Sequence, residues 1–150
     1  MQRVVDPPWV RRTSIHLVPD TSRVISRLFL PGQEIVVKGD DLLKGQGVDS
    51  LPIPISTPGF DVGPYTTASN WITKDPESGW INVGNYRGQV KAPDRMGMFI
   101  SPRNQGWKHW DMARKQGKDL EAALVIGGPP SLTYASGTRI PYGVEEYAVA

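Results

Sequence analysis

Asn70-Trp-Ile-Thr73 and Trp80-Ile-Asn-Val83 flank Lys74-Asp-Pro-Glu-Ser-Gly79, and this passage decides the fold class. Pro76 presets its own φ, Gly79 accepts positive φ, and both arms are rich in β-branched and aromatic residues, so the segment predicts a β-hairpin. A second turn, Lys91-Ala-Pro-Asp-Arg95, returns the chain into Met96-Gly-Met-Phe-Ile100, which makes three antiparallel strands with Trp80 to Val90 in the middle.

Downstream, Trp107 to Gln116 reads as a short helix, with Trp107, Trp110 and Ala113 or Arg114 on its core face and Gly117 as its stop. Ala122-Ala-Leu-Val-Ile126 reads as a buried strand, and Ser131 to Ala135 as a brief helical turn after Gly127-Gly-Pro-Pro130. Upstream, Val24 to Leu30 and Glu34 to Lys38 read as short strands with no evident chemistry. The expected class is α+β, mostly antiparallel β with short helices. Its expected core is Ile72, Trp80, Val83, Tyr86, Met98, Ile100, Leu124 and Ile126.

Composition agrees with a turn-rich chain: 14 prolines and 16 glycines in 150 residues, with 39% hydrophobic residues. A net charge of +2 provides no field strong enough to hold nucleic acid or an acidic membrane, so neither is expected as a partner. Cysteine is absent, which excludes disulfides and thiolate metal sites and leaves oxygen or histidine as ligands. No stretch approaches the roughly 20 apolar residues of a membrane span, and the opening Met1 to Trp9 has no signal-like apolar run, so a cytoplasmic location is the expectation.

Five motifs stand in one order: Leu51-Pro-Ile-Pro54, Asp75 to Arg87, Ile100-Ser-Pro-Arg103, Gly127-Gly-Pro-Pro130 and Ile140-Pro-Tyr-Gly-Val-Glu-Glu146. In that order they resemble the UbiD family of prenylated-flavin-dependent decarboxylases, the 3-octaprenyl-4-hydroxybenzoate carboxy-lyase-like enzymes. The resemblance runs from about Leu51 to Ala150. It implies that residues 51–150 form part of a split β-barrel that binds prenylated FMN, with residues 1–50 an N-terminal segment or connector. Members are several hundred residues long, so the resemblance also implies a partial chain ending inside the flavin-binding domain.

The family's reaction is reversible, non-oxidative decarboxylation of aromatic or α,β-unsaturated acids. By resemblance, Arg87 faces the substrate carboxylate and the cofactor. Asn82 and Glu146 help hold a divalent metal, Mn2+ in the first instance, at the flavin phosphate, with K+ as a further ion. Ser136-Gly137-Thr138 matches a small-residue loop against the cofactor, where backbone N–H groups in a glycine-containing turn can form an anion nest. After Arg103 the family usually places a metal histidine, whereas this chain has Asn104-Gln105. Their amide oxygens offer weaker ligation of a hard cation. His109, five residues on, reads as a packed or surface histidine rather than the replacement ligand.

The residues alone also allow Asn82 to be a turn-proximal polar side chain, Arg87 a solvated strand arginine, and Glu145-Glu146 a solvated pair. Asn82 and Arg87 lie an odd number of positions apart, so they share a site only if the strand is irregular between them, and Gly84 is the expected bulge or point of close approach to a ligand. The implied partners are a small aromatic or unsaturated acid, a flavin prenyltransferase that supplies the cofactor, and further copies of the chain or the remainder of a longer enzyme. A non-catalytic flavin-binding or assembly subunit and a split-barrel flavin reductase are the alternatives.

Overall fold

The structure is a computed structural model that describes residues 39–150, residue 37 and the backbone of Ser14–His16. The strands expected over 24–30 and 34–38 lie outside the described residues, Val37 excepted. Among the described residues the fold is α+β, with seven strands in two open antiparallel sheets. Among the described residues the sheets do not close into a barrel.

The first sheet contains β1 (Ser14–His16), β6 (Arg95–Met98), β5 (Gly88–Ala92) and β2 (Tyr65–Thr66), in that spatial order. Strand β1 was not anticipated; it pairs with β6, so the N-terminal segment contributes an edge strand. The second sheet contains β4 (Ile81–Asn85), β3 (Ser69–Lys74) and β7 (Ala122–Ile126). The β3–β4 hairpin forms where the sequence places it, with Asp75 as its pivot. The Asp75 carboxylate accepts the N–H groups of Glu77 at 2.8 Å and Ser78 at 3.0 Å, closing the turn before Trp80.

The expected continuous strand from Trp80 to Val90 is instead two strands in different sheets. Pairing stops after Asn85 and resumes at Gly88, and Tyr86-Arg87 carries the chain across. Gly84 is not a bulge, because it pairs in regular register with Trp71. Its missing side chain accommodates Tyr86: a Cβ there would collide with the Tyr86 ring, as would one at Gly106 on the facing helix. The close approach inferred at Gly84 is therefore real, but the neighbour is the protein's own tyrosine.

Trp71 from the second sheet packs with Met96 and Met98 from the first, so the core joins the two sheets. Burial of side chains like these two methionines stabilises by about 1.5–3 kcal/mol each. Val83 and Met98 are buried as expected, whereas Ile72, Trp80, Tyr86, Ile100 and Leu124 are half-buried. Ile126 is exposed, because β7 is an edge strand rather than a buried one.

Helix α1 (Gln105–Lys115) matches the expected helix, and Gly117 ends it at φ +68°. Its buried face is Gly106, His109 and Ala113, at i, i+3 and i+7, rather than the Trp107 and Trp110 face, which is half-buried. Gly106 is small because a Cβ there would press on the Tyr86 ring, whereas His109 fills the space further along the same face. Helix α2 (Pro130–Gly137), with proline at its first position, packs on β4 and β3. No helix among the described residues is long and apolar enough to cross a membrane.

Candidate functional site

Among the described residues strand β4 is the edge of its sheet, so alternate N–H groups along it face outward without a described strand partner. The two consecutive glutamates fill this need: Glu145 Oε1 accepts Ile81 N–H at 3.2 Å, and Glu146 Oε2 accepts Val83 N–H at 2.8 Å. Glu146 is only 3% exposed. The solvated-pair reading of these residues is therefore wrong, since a buried carboxylate is anchored beside β4 with its second oxygen uncommitted to any described hydrogen bond.

Asn82, 1% exposed, stands opposite Thr73 in the strand register and donates Nδ2–H to Thr73 Oγ1 at 3.3 Å. Its Oδ1 is thereby directed away from Thr73. The Tyr86 hydroxyl accepts Gly106 N–H at 3.3 Å, which ties the first turn of α1 to the same corner. Burial raises the Tyr86 pKa and the nearby Glu146 charge acts in the same direction, against hydrogen bonds from Gly106 and Asn82. Tyr86 therefore keeps its proton and remains a donor. Sequence reasoning missed it; an aromatic two positions after an interior glycine was the available signal.

The residues after Arg103 divide their roles. Asn104 Oδ1 accepts the Ser101 N–H at 2.7 Å and the Ser101 hydroxyl at 3.0 Å, so its amide oxygen is already engaged. Gln105 donates to the Ile140 carbonyl at 3.1 Å, while its Oε1 is buried without a hydrogen-bond partner. A buried acceptor left unmatched calls for a cation or donor. Asn82, Glu146 and Gln105 present only oxygen, and they fit a hard divalent cation by donor chemistry. Among the described residues no group of three or more His, Cys, Asp or Glu exists that would offer another centre. The N-terminal end of α1 adds a partial positive charge suited to a phosphate or carboxylate.

Arg87 lies one residue beyond Tyr86 but does not bond to Asn82 or Glu146. Its guanidinium rests over the rings of Tyr65 (5.7 Å) and Phe99 (5.4 Å), and its carbonyl accepts Phe99 N–H at 2.9 Å. Among the described residues no carboxylate pairs with it. The result is an exposed cation held on an aromatic platform with its donors available to an anion.

Ser136-Gly137-Thr138 is not a loop. Ser136 and Gly137 are the last residues of α2 and Thr138 is its C-cap, whose N–H goes to the Ala135 carbonyl at 3.0 Å. A helix C-terminus presents carbonyls, so the expected anion nest is not formed there. Ser136 Oγ lies 2.8 Å from both Asn70 Oδ1 and the Thr133 carbonyl, and Thr138 Oγ1 donates to the Tyr134 carbonyl at 2.9 Å.

His109 is packed, as read, and fully buried. Its Nδ1 lies 3.1 Å from Thr73 Oγ1, Trp80 meets the ring edge-on at 5.1 Å, and Nε2 has no hydrogen bond, with Asp75 Oδ2 4.0 Å away. Desolvation holds its pKa below 6.5, and the attraction of Asp75 does not overcome this. Burial also raises Asp75, but hydrogen bonds from Ser78, Glu77 and Tyr142 outweigh it and leave that carboxyl below 3.8. The unfolded chain thus binds a proton at His109 before the folded one does. Stability is complete above the unfolded value of about 6.5 and falls by up to about 1.4 kcal/mol per pH unit below it. Urea midpoints measured between pH 7.5 and 5 are expected to show this slope in the native protein and lose it in His109→Gln; equal slopes would contradict it.

Residues 32–150 match the family profile described as the 3-octaprenyl-4-hydroxybenzoate carboxy-lyase Rift-related domain. An uncharacterised protein of Aquifex aeolicus is 42% identical over 118 residues, which is 79% of this chain and 23% of that protein. The anhydromevalonate phosphate decarboxylase of Methanothermobacter thermautotrophicus is 32% identical over 131 residues, 87% of this chain and 31% of the relative. Among solved structures, the UbiD-class enzyme HmfF from Pelotomaculum thermopropionicum in complex with prFMN superposes with a TM-score of 0.62 at 43% identity, over 66% of this chain and 23% of that one. The vanillic acid decarboxylase of Sedimentibacter hydroxybenzoicus gives 0.62 at 32% identity, over 66% and 21%. The chain thus spans between about a fifth and a third of the length of these relatives. With the profile covering most of its residues, the chain belongs to the UbiD family.

Proposed function

We propose that this chain is part of an enzyme that decarboxylates an aromatic or α,β-unsaturated acid without net oxidation, reversibly, using prenylated FMN. The observation that carries the reading is the corner where buried Glu146 and Asn82 lie beside Tyr86, one residue from a cation that pairs with no carboxylate among the described residues, with the unpartnered Gln105 Oε1 on the facing helix. In this reading residues 51–150 provide part of the cofactor-binding portion and residues 1–50 lead into it. A flavin prenyltransferase supplies the cofactor in the cytoplasm, and the enzyme works as an oligomer.

Arg87 binds the substrate carboxylate and orients it, and the rings of Tyr65 and Phe99 limit how far the guanidinium can swing. Asn82 and Glu146, with Gln105 in the place usually taken by histidine, hold a divalent cation such as Mn2+ at the flavin phosphate, with K+ as a companion ion. Tyr86 stays protonated and steadies the edge of this oxygen cluster. Prenylated FMN, when bound, supplies an electron sink for the carbanion left by CO2. The electrostatic contribution of the chain is a fixed positive group at the departing carboxylate.

A binding-only role is the second reading, favoured by Asn104 committing its oxygen to Ser101 where a metal ligand is expected. Anaerobic reconstitution of the full-length protein with prenylated FMN and Mn2+ tests both. Flavin absorbance retained after desalting, together with CO2 release from a panel of cinnamic, benzoic and furoic acids, is the expected result. Retention without turnover on any of them would favour the second reading, and no retention would overturn both.

A further inference from the structure

Asn82 is useful as a ligand only if its oxygen, not its NH2, faces the cofactor. The two ends of an amide are almost the same size, so packing cannot choose between them; hydrogen bonds must. Asn82 Nδ2 lies 3.3 Å from Thr73 Oγ1 and also bonds toward the Tyr86 hydroxyl, and the Thr73 oxygen lies 3.1 Å from His109 Nδ1. All three side chains are buried to within 1% of complete. Water is thus no substitute for any link in the chain.

The direction of each bond follows from the hydroxyl having a single proton. In the tautomer that carries its proton on Nε2, the Thr73 O–H donates to His109 Nδ1 and its lone pairs remain for the Asn82 amide. With Nδ1 accepting, the imidazole proton sits on Nε2, the nitrogen on the side of the Asp75 carboxylate. If His109 were removed, the Thr73 proton would be free to turn toward Asn82. The Thr73 end would then accept the reversed amide as well, leaving only the Tyr86 contact to oppose it. Trp80 packs edge-on against the imidazole, and Tyr142 both touches Trp80 (5.0 Å between centroids) and donates to Asp75 at 3.1 Å, so the histidine is held on the side opposite Thr73's hydroxyl by aromatic packing.

We propose that His109 and Thr73 are positioning residues that act in series, imidazole to hydroxyl to amide, to fix the Asn82 oxygen toward the cofactor-binding corner. The proposal rests on the reading of Asn82 as a metal ligand given above. It assigns to His109 a role other than metal ligation, because the ring acts through Thr73.

The test is Mn2+ affinity in the full-length protein with saturating FMN, read from the free-ion signal by electron paramagnetic resonance without turnover. Thr73→Val keeps the shape and strand preference while deleting the hydroxyl, and His109→Phe keeps the ring while deleting Nδ1. Each is expected to weaken Mn2+ binding about 10- to 100-fold, the usual cost of losing a group that orients a ligand. Thr73→Ser, which restores the hydroxyl, is expected to bind as the native protein does; a purely packing role for Thr73 would leave Ser as poor as Val or poorer. Thermal unfolding of all three variants identifies any that fail to fold, and the Thr73 pair decides the matter if His109→Phe is one of them. If native protein binds Mn2+, Asn82→Ala does not, and Thr73→Val binds like native, the positioning chain is refuted while the ligand role stands. If native protein binds no Mn2+, the reading of Asn82 on which the proposal rests falls, and the proposal with it.

Discussion

Replacing Arg87 with alanine in the full-length enzyme is expected to lower kcat/KM for decarboxylation by about 100- to 1000-fold, the scale seen when a preorganised electrostatic group is removed from a reacting centre. Flavin and metal occupancy should stay at native levels, because Arg87 makes no described bond to Asn82, Glu146 or Gln105. Arg87→Lys should not rescue. A lysine retains the charge, but it gives up the flat guanidinium that lies on Tyr65 and Phe99 and the paired donors that match a carboxylate. Steady-state kinetics with flavin absorbance measured on the same samples checks this. A loss of less than tenfold, or loss of flavin in parallel with activity, would remove Arg87 from the role.

Glu146→Ala is expected to have two separable effects. It leaves the Val83 N–H on the edge of β4 without an acceptor, which costs about 1–3 kcal/mol for a buried donor. It also removes the one fully buried carboxylate of the corner, so metal content and metal-dependent flavin retention should collapse. Glu146→Gln separates the two: an amide oxygen still accepts from Val83, so stability should approach native while metal content remains low. Urea unfolding and elemental analysis of the purified variants give the two readings. Native metal content in Glu146→Gln would mean that the carboxylate serves β4 alone.

The parts of the fold punctuated locally were legible from the chain. Pro76 with Gly79, Pro93, Gly117 and Gly127-Gly-Pro-Pro130 mark the turns and helix ends that the structure contains. What escaped depended on which elements lie together. No turn signal falls on Tyr86-Arg87 themselves; the crossing exists because Trp71 in one sheet packs with Met96 and Met98 in the other, and the Trp71 Nε1–H is met by the Tyr86 carbonyl at 2.9 Å. Strand β3 is central and covered by α1 on one side and α2 on the other, so it lacks the polar-apolar alternation that would have identified Trp71 rather than Ile72 as its most buried apolar residue.

The site divides in the same way. Asn82, Arg87 and Glu146 were singled out through an ordered set of motifs whose family the profile match shows, while their spacing alone left bland alternatives open. Burial of Glu146 could not be read from two adjacent glutamates, since the need they meet arises only once β4 is known to be an edge strand. The Ser136 to Thr138 passage was expected as a loop from the family resemblance, yet helix α2, packed against β4, runs through Gly137.

The most direct measurement of the central claim is a crystal structure of the full-length protein with prenylated FMN and Mn2+, with the metal located by its anomalous scattering. The account expects one metal peak at the flavin phosphate, within the roughly 2.0–2.6 Å of a hard cation–oxygen bond from Asn82 Oδ1 and Glu146, and the Arg87 guanidinium facing the reactive side of the flavin. A flavin bound elsewhere, or a metal peak that touches neither Asn82 nor Glu146, would contradict it.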